Sequence, residues 1–330
     1  MANVLVLGGT AWLGREVARE AAARGHDVTC LARAESGDPP EGVTLVRADR
    51  DDAAAYDDLS TGSGNGQTWH AVVDVTRQPV HARTAVLSLG PQAEHWTLVS
   101  TGNVYADASR PIREDDALLD PLADDHATLE TYGEGKVACE QAVGALPRHL
   151  ILRAGLLGGP GDPSDRAGYW VSRFAAAADE PVLVPDVPDQ PVQLLDVRDL
   201  AVFIVDAALR GVTGAMNVAG TPTSLRNALE QSADAAGHTG LTVPARPDWL
   251  LEHEVQPWMG PRSLPLWLPD EALGMMAMDT ARAAAAGLQR RSLGDTLADS
   301  LADERARGLD RDRKAGLARE DELDLLARLA

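Results

Sequence analysis

The stretch "ETYGEGKVACE" (130–140) sets Tyr132 four residues ahead of Lys136, a spacing that puts both side chains on one face of a helix. Lys136 and Lys314 are the only lysines of a chain that otherwise carries its positive charge as arginine. A phenol titrates near 10 and is a poor base at neutral pH. An ammonium ~4 Å away, at an effective dielectric of ~20, favours a phenolate by roughly 4 kcal/mol, enough to bring a phenol down by up to about three pH units. Such a group can exchange a proton with a carbonyl or carbinol oxygen. Lysine suits this task better than arginine, because it is a compact charge on a flexible stem that also reaches a ribose hydroxyl. The chemistry needs one more hydroxyl to hold the substrate oxygen. "LVSTGNVYAD" supplies Ser100 and Thr101 at the end of a strand-like run. Thr101 is expected to bond the oxygen that Tyr132 protonates, with Ser100 near the cofactor and Asn103 near the substrate.

Hydride chemistry of this kind needs a dinucleotide, and "VLVLGGTAWLGREVA" carries the expected loop. Gly8, Gly9 and Gly14 fall between an apolar strand and a helix, the context a dinucleotide fingerprint requires. A glycine lets the backbone approach a pyrophosphate, and the helix N-terminus supplies unpaired amides. Gly8, Thr10, Ala11, Trp12, Leu13 and Gly14 are the expected contacts. An NAD-selective site carries an acid at the end of the second strand. Here "CLARAE" puts Arg33 in that place, and a guanidinium there welcomes a 2′-phosphate. NADP(H) is therefore favoured, with NAD(H) the other candidate. Asp49 and Arg50, closing the third strand, are expected to flank the adenine, and Val75 to line the site after the fourth strand. Asp74 beside it could face the same crevice or act as a cap.

These residues need a scaffold that delivers strand ends to one crevice. Apolar runs at 3–7, 27–32, 44–48, 71–75, 95–100 and 149–154 alternate with helical or polar segments. That order indicates a parallel sheet covered on both faces. The expected fold is α/β, a Rossmann-type doubly wound parallel sheet with a smaller C-terminal substrate lobe. Residues 1–155 and about 192–212 would form the dinucleotide domain, and about 156–191 with 213–302 the lobe. "TGSGNGQ" (61–67) reads as a flexible loop, and a helix capped near Asp199 is expected in "QLLDVRDLAVFIVDAALRG". The charged stretch 303–330, with Leu323, Leu325, Leu326 and Leu329, is expected to be a helical tail docked on the body.

Composition narrows the partners. The 330 residues are 45% hydrophobic and 4% aromatic, so a large core must be built from Ala, Val and Leu. The net charge of −20 disfavours nucleic acid and anionic membrane, which want basic patches. It also makes an anionic cofactor depend on local positive potential. No apolar run approaches the ~20 residues of a membrane span, and the N-terminus does not look like a signal peptide. Cys30 and Cys139 are the only cysteines and read as reduced core thiols, which suits a cytoplasmic protein. Neither CxxC, HExxH nor clustered histidines are present, so no metal is expected.

With "GGTAWLG", "STGNVYA", "YGEGK", "LRAGLLGGPGDP" and "LDVRDLA" in this order, the chain resembles the extended short-chain dehydrogenase/reductases, the NAD-dependent epimerase/dehydratase group. The resemblance covers roughly residues 3 to 220. It implies that Thr101, Tyr132 and Lys136 are catalytic, that Leu156 and Leu157 lie against the nicotinamide, and that a homodimer could form through the Tyr/Lys helix. Two departures bear on the substrate. Sugar dehydratases of the group carry Asp-Glu after the threonine, where this chain has Gly102-Asn103. Nucleotide-sugar epimerases carry a diphosphate-binding arginine where this chain has Val192-Gln193. The expectation is an NAD(P)(H)-dependent oxidoreductase or epimerase of a small molecule, with sugar dehydration disfavoured. The alternatives are a dinucleotide sensor without turnover, and, against the charge, an RNA-associated member. Aromatics concentrate in "GYWVSRF" and "WLLEHEVQPWMGPRSLPLWLP", where Trp170, Trp258 and Arg262 are candidate substrate contacts.

Overall fold

The computed structural model describes residues 1–60 and 68–329, so the stretch 61–67 lies outside the described residues. The first half reads β1 (Asn3–Leu7), α1 (Trp12–Ala23), β2 (Asp27–Ala32), β3 (Thr44–Arg47), α2 (Asp57–Ser60), β4 (Ala71–Asp74), α3 (Pro79–Leu89), β5 (Trp96–Thr101), α4 (Tyr132–Gly144) and β6 (His149–Ala154). The chain continues through β7 (Leu156–Gly158), α5 (Tyr169–Ala177), β8 (Val182–Pro185), β9 (Pro191–Val192), β10 (Leu194–Asp196), α6 (Val197–Leu209) and β11 (Gly214–Val218). After β12 (Thr223–Ser224) come α7 (Leu225–Ala236), β13 (Thr242–Ala245), α8 (Pro247–Glu252), β14 (Gln256–Pro257), β15 (Ser263–Leu264), α9 (Ala281–Ala285), α10 (Leu293–Arg307) and α11 (Arg319–Leu329).

Seven strands form one parallel sheet in the order β11-β6-β5-β4-β1-β2-β3. The strand order reverses between β1 and β4, and ligands of open α/β sheets bind at such a switch point, outside the strands' carboxyl ends. On one face α1 and α6 bring Val17, Ala18, Ala21, Leu200, Phe203 and Ile204 against the sheet. On the other, α3 and α4 bring Ala82, Ala85, Leu89, Cys139 and Val143. Covering both faces explains the near-continuous apolar strands, and small alanines let these helices lie close.

The lobe has its own core, built on Trp170, Phe174, Leu183, Leu229, Trp267 and Leu325. The expected boundary at 212 shifts, because the next strand, β11, pairs with β6 and completes the main sheet. Ala283 and Leu288 also pack into the sheet core. The helix α6 is capped by Asp196, whose side chain accepts from the Arg198 amide, with Asp199 in its first turn. The tail does not begin at 303, since α10 runs through that position. In α11, Leu325 is buried and Leu326 and Leu329 pack on the lobe, while Leu323 is exposed. No helix among the described residues is long and apolar enough to cross a membrane.

Candidate active site

The dinucleotide end of the crevice is built mostly from backbone. Gly8 has φ +93, and a Cβ there would lie 2.6 Å from Val75 Cγ2. A Cβ on Gly14 would lie 2.3 Å from the Gly8 carbonyl oxygen, so only glycine lets α1 rise this close to β1. Gly9 in turn sits on Cys30, whose Sγ would be 2.1 Å from an added Cβ. Burial pushes the Cys30 thiol up to about 12, which leaves it a packing group rather than a nucleophile. The Ala11 amide donates back to Gly8, and the first bond of α1 runs from the Arg15 amide to the Ala11 carbonyl. The amides of Trp12, Leu13 and Gly14 therefore lie ahead of the helical ladder, where an anion is welcome. The Trp12 indole donates to the Pro160 carbonyl at 2.8 Å, tying this loop to the lobe. The Leu13 side chain packs into the sheet core.

The crevice above the switch point is lined by Gly8, Thr10, Ala11, Arg33, Asp49, Arg50 and Val75, all expected from sequence. It is lined as well by Ser36, Thr76, Arg77, Gln78, His81 and His126, which were not. For Thr76, Arg77 and Gln78 the signal was "VTRQP" after β4, a strand-end hydroxyl before a helix-opening proline. Arg33 is half-exposed, with Glu35 at 3.0 Å and Asp49 at 3.7 Å. At the rim, Asp49, Asp51 and His81 lie together, with His81 hydrogen-bonded to Asp51 at 2.7 Å.

The acid/base end depends on how α4 meets β5. Tyr132 opens α4, and Lys136 follows one turn later. The two glycines of "YGEGK" explain the fit. A Cβ on Gly133 would lie 2.3 Å from the Asn103 carbonyl, and one on Gly135 would lie 2.5 Å from Ala127 Cβ. The first turn thus presses onto the Gly102–Val104 turn that ends β5. Thr101 donates to Asn103 Oδ1 at 3.0 Å. Lys136 is buried, and its Nζ donates to the carbonyls of Thr76 and Val99, both at 2.5 Å. Thr76 also lines the dinucleotide crevice, so the lysine links the two ends. The Tyr132 hydroxyl has no hydrogen-bond partner among the described residues.

Other expected contacts already have partners within the protein. Arg50 borders the crevice, but its guanidinium makes a buried bidentate pair with Asp74 at 2.8 and 2.9 Å and bonds Tyr56. It is a floor, not a free partner for adenine. Ser100 turns towards α4 and donates to Glu140 at 2.5 Å, and Glu140 pairs with Arg153. Leu156 is buried in the lobe core and Leu157 packs on the sheet core. Trp170 is fully buried, its indole donating to the Pro265 carbonyl at 2.7 Å, so it packs the lobe and lines nothing. Arg262 is engaged by Asp321 and the His253 carbonyl. Trp258 is half-buried and carries the Arg166 guanidinium over its ring at 4.6 Å. Sequence reasoning missed Arg166, which lies in a loop whose Pro, Gly and Asp signal only a turn.

Solved structures share this architecture. The Bordetella bronchiseptica enzyme WbmH in complex with NAD+ matches with a TM-score of 0.68 at 19% identity, over 92% of this chain and 98% of that one. UDP-N-acetylglucosamine 4-epimerase from Bacillus cereus matches with a TM-score of 0.65 at 16% identity, over 94% and 98%. UDP-glucose 4-epimerase from Thermus thermophilus, complexed with NAD, matches with a TM-score of 0.62 at 17% identity, over 93% and 100%. At these identities the likeness is one of fold. Among curated proteins none matches the chain in sequence at a significant level. The family model for NAD dependent epimerases and dehydratases, however, matches residues 4–219, a span that runs from β1 through the last strand of the sheet and takes in both ends of the crevice. With that span matched and the sheet order observed, the chain belongs to the NAD dependent epimerase/dehydratase family.

Proposed function

We propose that this protein is an NAD(P)(H)-dependent oxidoreductase or epimerase that works on a carbonyl or hydroxyl carbon of a small molecule. The observation that carries the reading is the seating of α4 on the end of β5. It supports the reading because α4 carries Tyr132 and Lys136 onto the turn after Thr101, and Lys136 reaches the carbonyl of Thr76, a residue of the crevice whose glycines and free helix amides suit a pyrophosphate. The dinucleotide supplies or accepts hydride when bound. Tyr132 gives or takes the proton on the substrate oxygen, and its unpartnered hydroxyl is free to do so. Thr101 holds that oxygen, after releasing Asn103. Lys136 fixes a positive charge one turn below the phenol and can exchange a carbonyl partner for a ribose hydroxyl. Dehydration of a sugar is disfavoured, because Asn103 and Gly102 cannot act as the acid pair that step requires.

NADP(H) is the proposed preference. Glu35 and Asp49 hold Arg33 at the surface, where ion pairs are weak, so a 2′-phosphate can displace them. The test is a screen of carbonyl and carbinol compounds with both cofactors, followed by Tyr132→Phe on the best substrate. A positioned acid/base is worth about 10²–10⁴-fold. Turnover should fall by that order while dinucleotide affinity is kept. Wild-type turnover in the Phe variant would remove Tyr132 from the chemistry, whereas dinucleotide binding with no turnover of any compound by the wild type would favour a dinucleotide sensor.

A further inference from the structure

Arg166 differs from the sheltered arginines that surround its loop. Arg173 pairs with Glu322, Arg262 with Asp321, and Arg307, Arg311 and Arg313 with Glu304. Arg166 makes no ion pair among the described residues, in a chain with 50 acidic side chains. Its Nε donates to Ser164 Oγ at 3.2 Å, and its guanidinium stacks on Trp258. Those two contacts hold the plane and leave the two terminal nitrogens, a planar fork suited to an oxyanion. Asp162, in the same loop, is occupied by the amides of Ser164 and Ala167 and by the Ser164 hydroxyl.

The stack is held from both sides. Asp165 and Trp258 both adopt left-handed backbone, with φ +61 and +71, a conformation that non-glycine residues keep only when their surroundings impose it. For Asp165 the surroundings are Arg307, Arg311 and the Lys314 amide. On the Trp258 side, the Gly316 amide bonds the Gly260 carbonyl and Ser263 Oγ. Burial weakens the charged form of Arg166, and the groups whose charges act on it are Asp162 and Tyr132. Through Pro160 and Trp12, the loop that carries the unpaired fork borders the glycine loop.

We propose that Arg166 receives an oxyanion of the substrate, a carboxylate or a phosphoryl group, and so sets which carbon faces Tyr132. The proposal rests on the catalytic reading above. It replaces the diphosphate-binding arginine absent at Val192 with a charge from a different loop. The same fork fits a hydroxy or keto acid, a phosphate monoester or a nucleotide diphosphate.

The test uses the NAD+- or NADP+-loaded enzyme and Trp258 as the reporter. Glycolate, inorganic phosphate and UDP are titrated against tryptophan fluorescence and by calorimetry. At least one should bind, and Arg166→Gln should weaken it roughly 10- to 100-fold, the worth of one charge-assisted contact. Arg166→Lys should recover part of that loss, and Tyr132→Phe should leave it intact. Tightest binding of glycolate points to a hydroxy acid, of phosphate to a monoester, and of UDP to a nucleotide-linked substrate. Equal affinity in wild type and Arg166→Gln, or no binding of any of the three, overturns the proposal. Dinucleotide affinity and the melting temperature are measured on each variant. A failure of the catalytic reading shows as lost dinucleotide binding or as a silent Tyr132→Phe, whereas a failure of this proposal leaves both as expected.

Discussion

The two ends of the crevice are held by different physics. At the pyrophosphate end the determinants are glycines and amides within residues 8–14, where a Cβ would strike the neighbouring backbone. Around the loop proposed to meet substrate they are charged side chains drawn from far along the chain. Asp165 takes Arg307 and Arg311 from 142 and 146 residues away, and Glu304 gathers three arginines. Backbone dipoles do not depend on protonation or on net charge, so the first end works in a protein of −20. Ion pairs do depend on both. The comparison teaches that one molecule can hold one region by backbone geometry and another by side-chain charge.

The largest expected effect tests the backbone end. Gly14→Val places a branched side chain against the Gly8 carbonyl, and overpacking of that kind costs about 1–3 kcal/mol. Dinucleotide affinity should fall roughly 100-fold with the lobe still folded, as read by calorimetric titration and tryptophan fluorescence. Undiminished binding would break the comparison at its better-defined side. Next comes Glu304→Gln, which leaves Arg307, Arg311 and Arg313 without their shared carboxylate. A fully enclosed pair forfeits about 3–5 kcal/mol on losing one partner. Arg307 and Arg311 keep some contact with water, so a loss of about 2 kcal/mol is expected. It should appear as a lower denaturant midpoint, with dinucleotide affinity unchanged.

Acid should separate the two ends more gently. Burial opposes the charged form of Asp165, but the Arg311 hydrogen bond, the Lys314 amide and the charges of Arg311 and Arg307 outweigh it and hold its pKa below the ordinary value. A carboxylate lowered by folding stabilises the fold above its unfolded pKa, near ~3.9, and loses that contribution as pH falls from there through the folded value. Tryptophan fluorescence, weighted to the lobe, should therefore change in this window before helical circular dichroism does. Coincident transitions would mean that the lobe's ion pairs are not its weak point. The smallest effect concerns Arg33. Arg33→Asp should shift the NADP(H)/NAD(H) affinity ratio towards NAD(H) by about tenfold or less, because the site is exposed. An unchanged ratio would sharpen the contrast, leaving the cofactor end to backbone alone.

Legibility in the sequence follows the same division. The strand, glycine loop and helix of residues 3–23 are a local pattern, and so is the Tyr132/Lys136 pair on one turn of α4. Ser100 and Arg50 were read from strand-end position alone. That cannot reveal that a buried acid on another element, Glu140 or Asp74, has already claimed them. Trp170 was read as a pocket residue because aromatics cluster there. Its neighbours Tyr169 and Phe174 are equally buried, the mark of a helix enclosed on most sides. Arg166 and its supports were invisible for another reason: a guanidinium left without an acid is recognised only after every other pairing is known.

The tail's grip on the Asp165 loop has a consequence for how the molecule comes into being. A polypeptide emerging N-terminus first has all seven strands of its sheet by residue 218. It can begin to collapse there, as domains do during synthesis. The left-handed turn at Asp165 must wait until Arg307, Arg311 and Lys314 have been added. For that interval the sheet is complete in sequence while the Asp165 turn still lacks the partners that hold it.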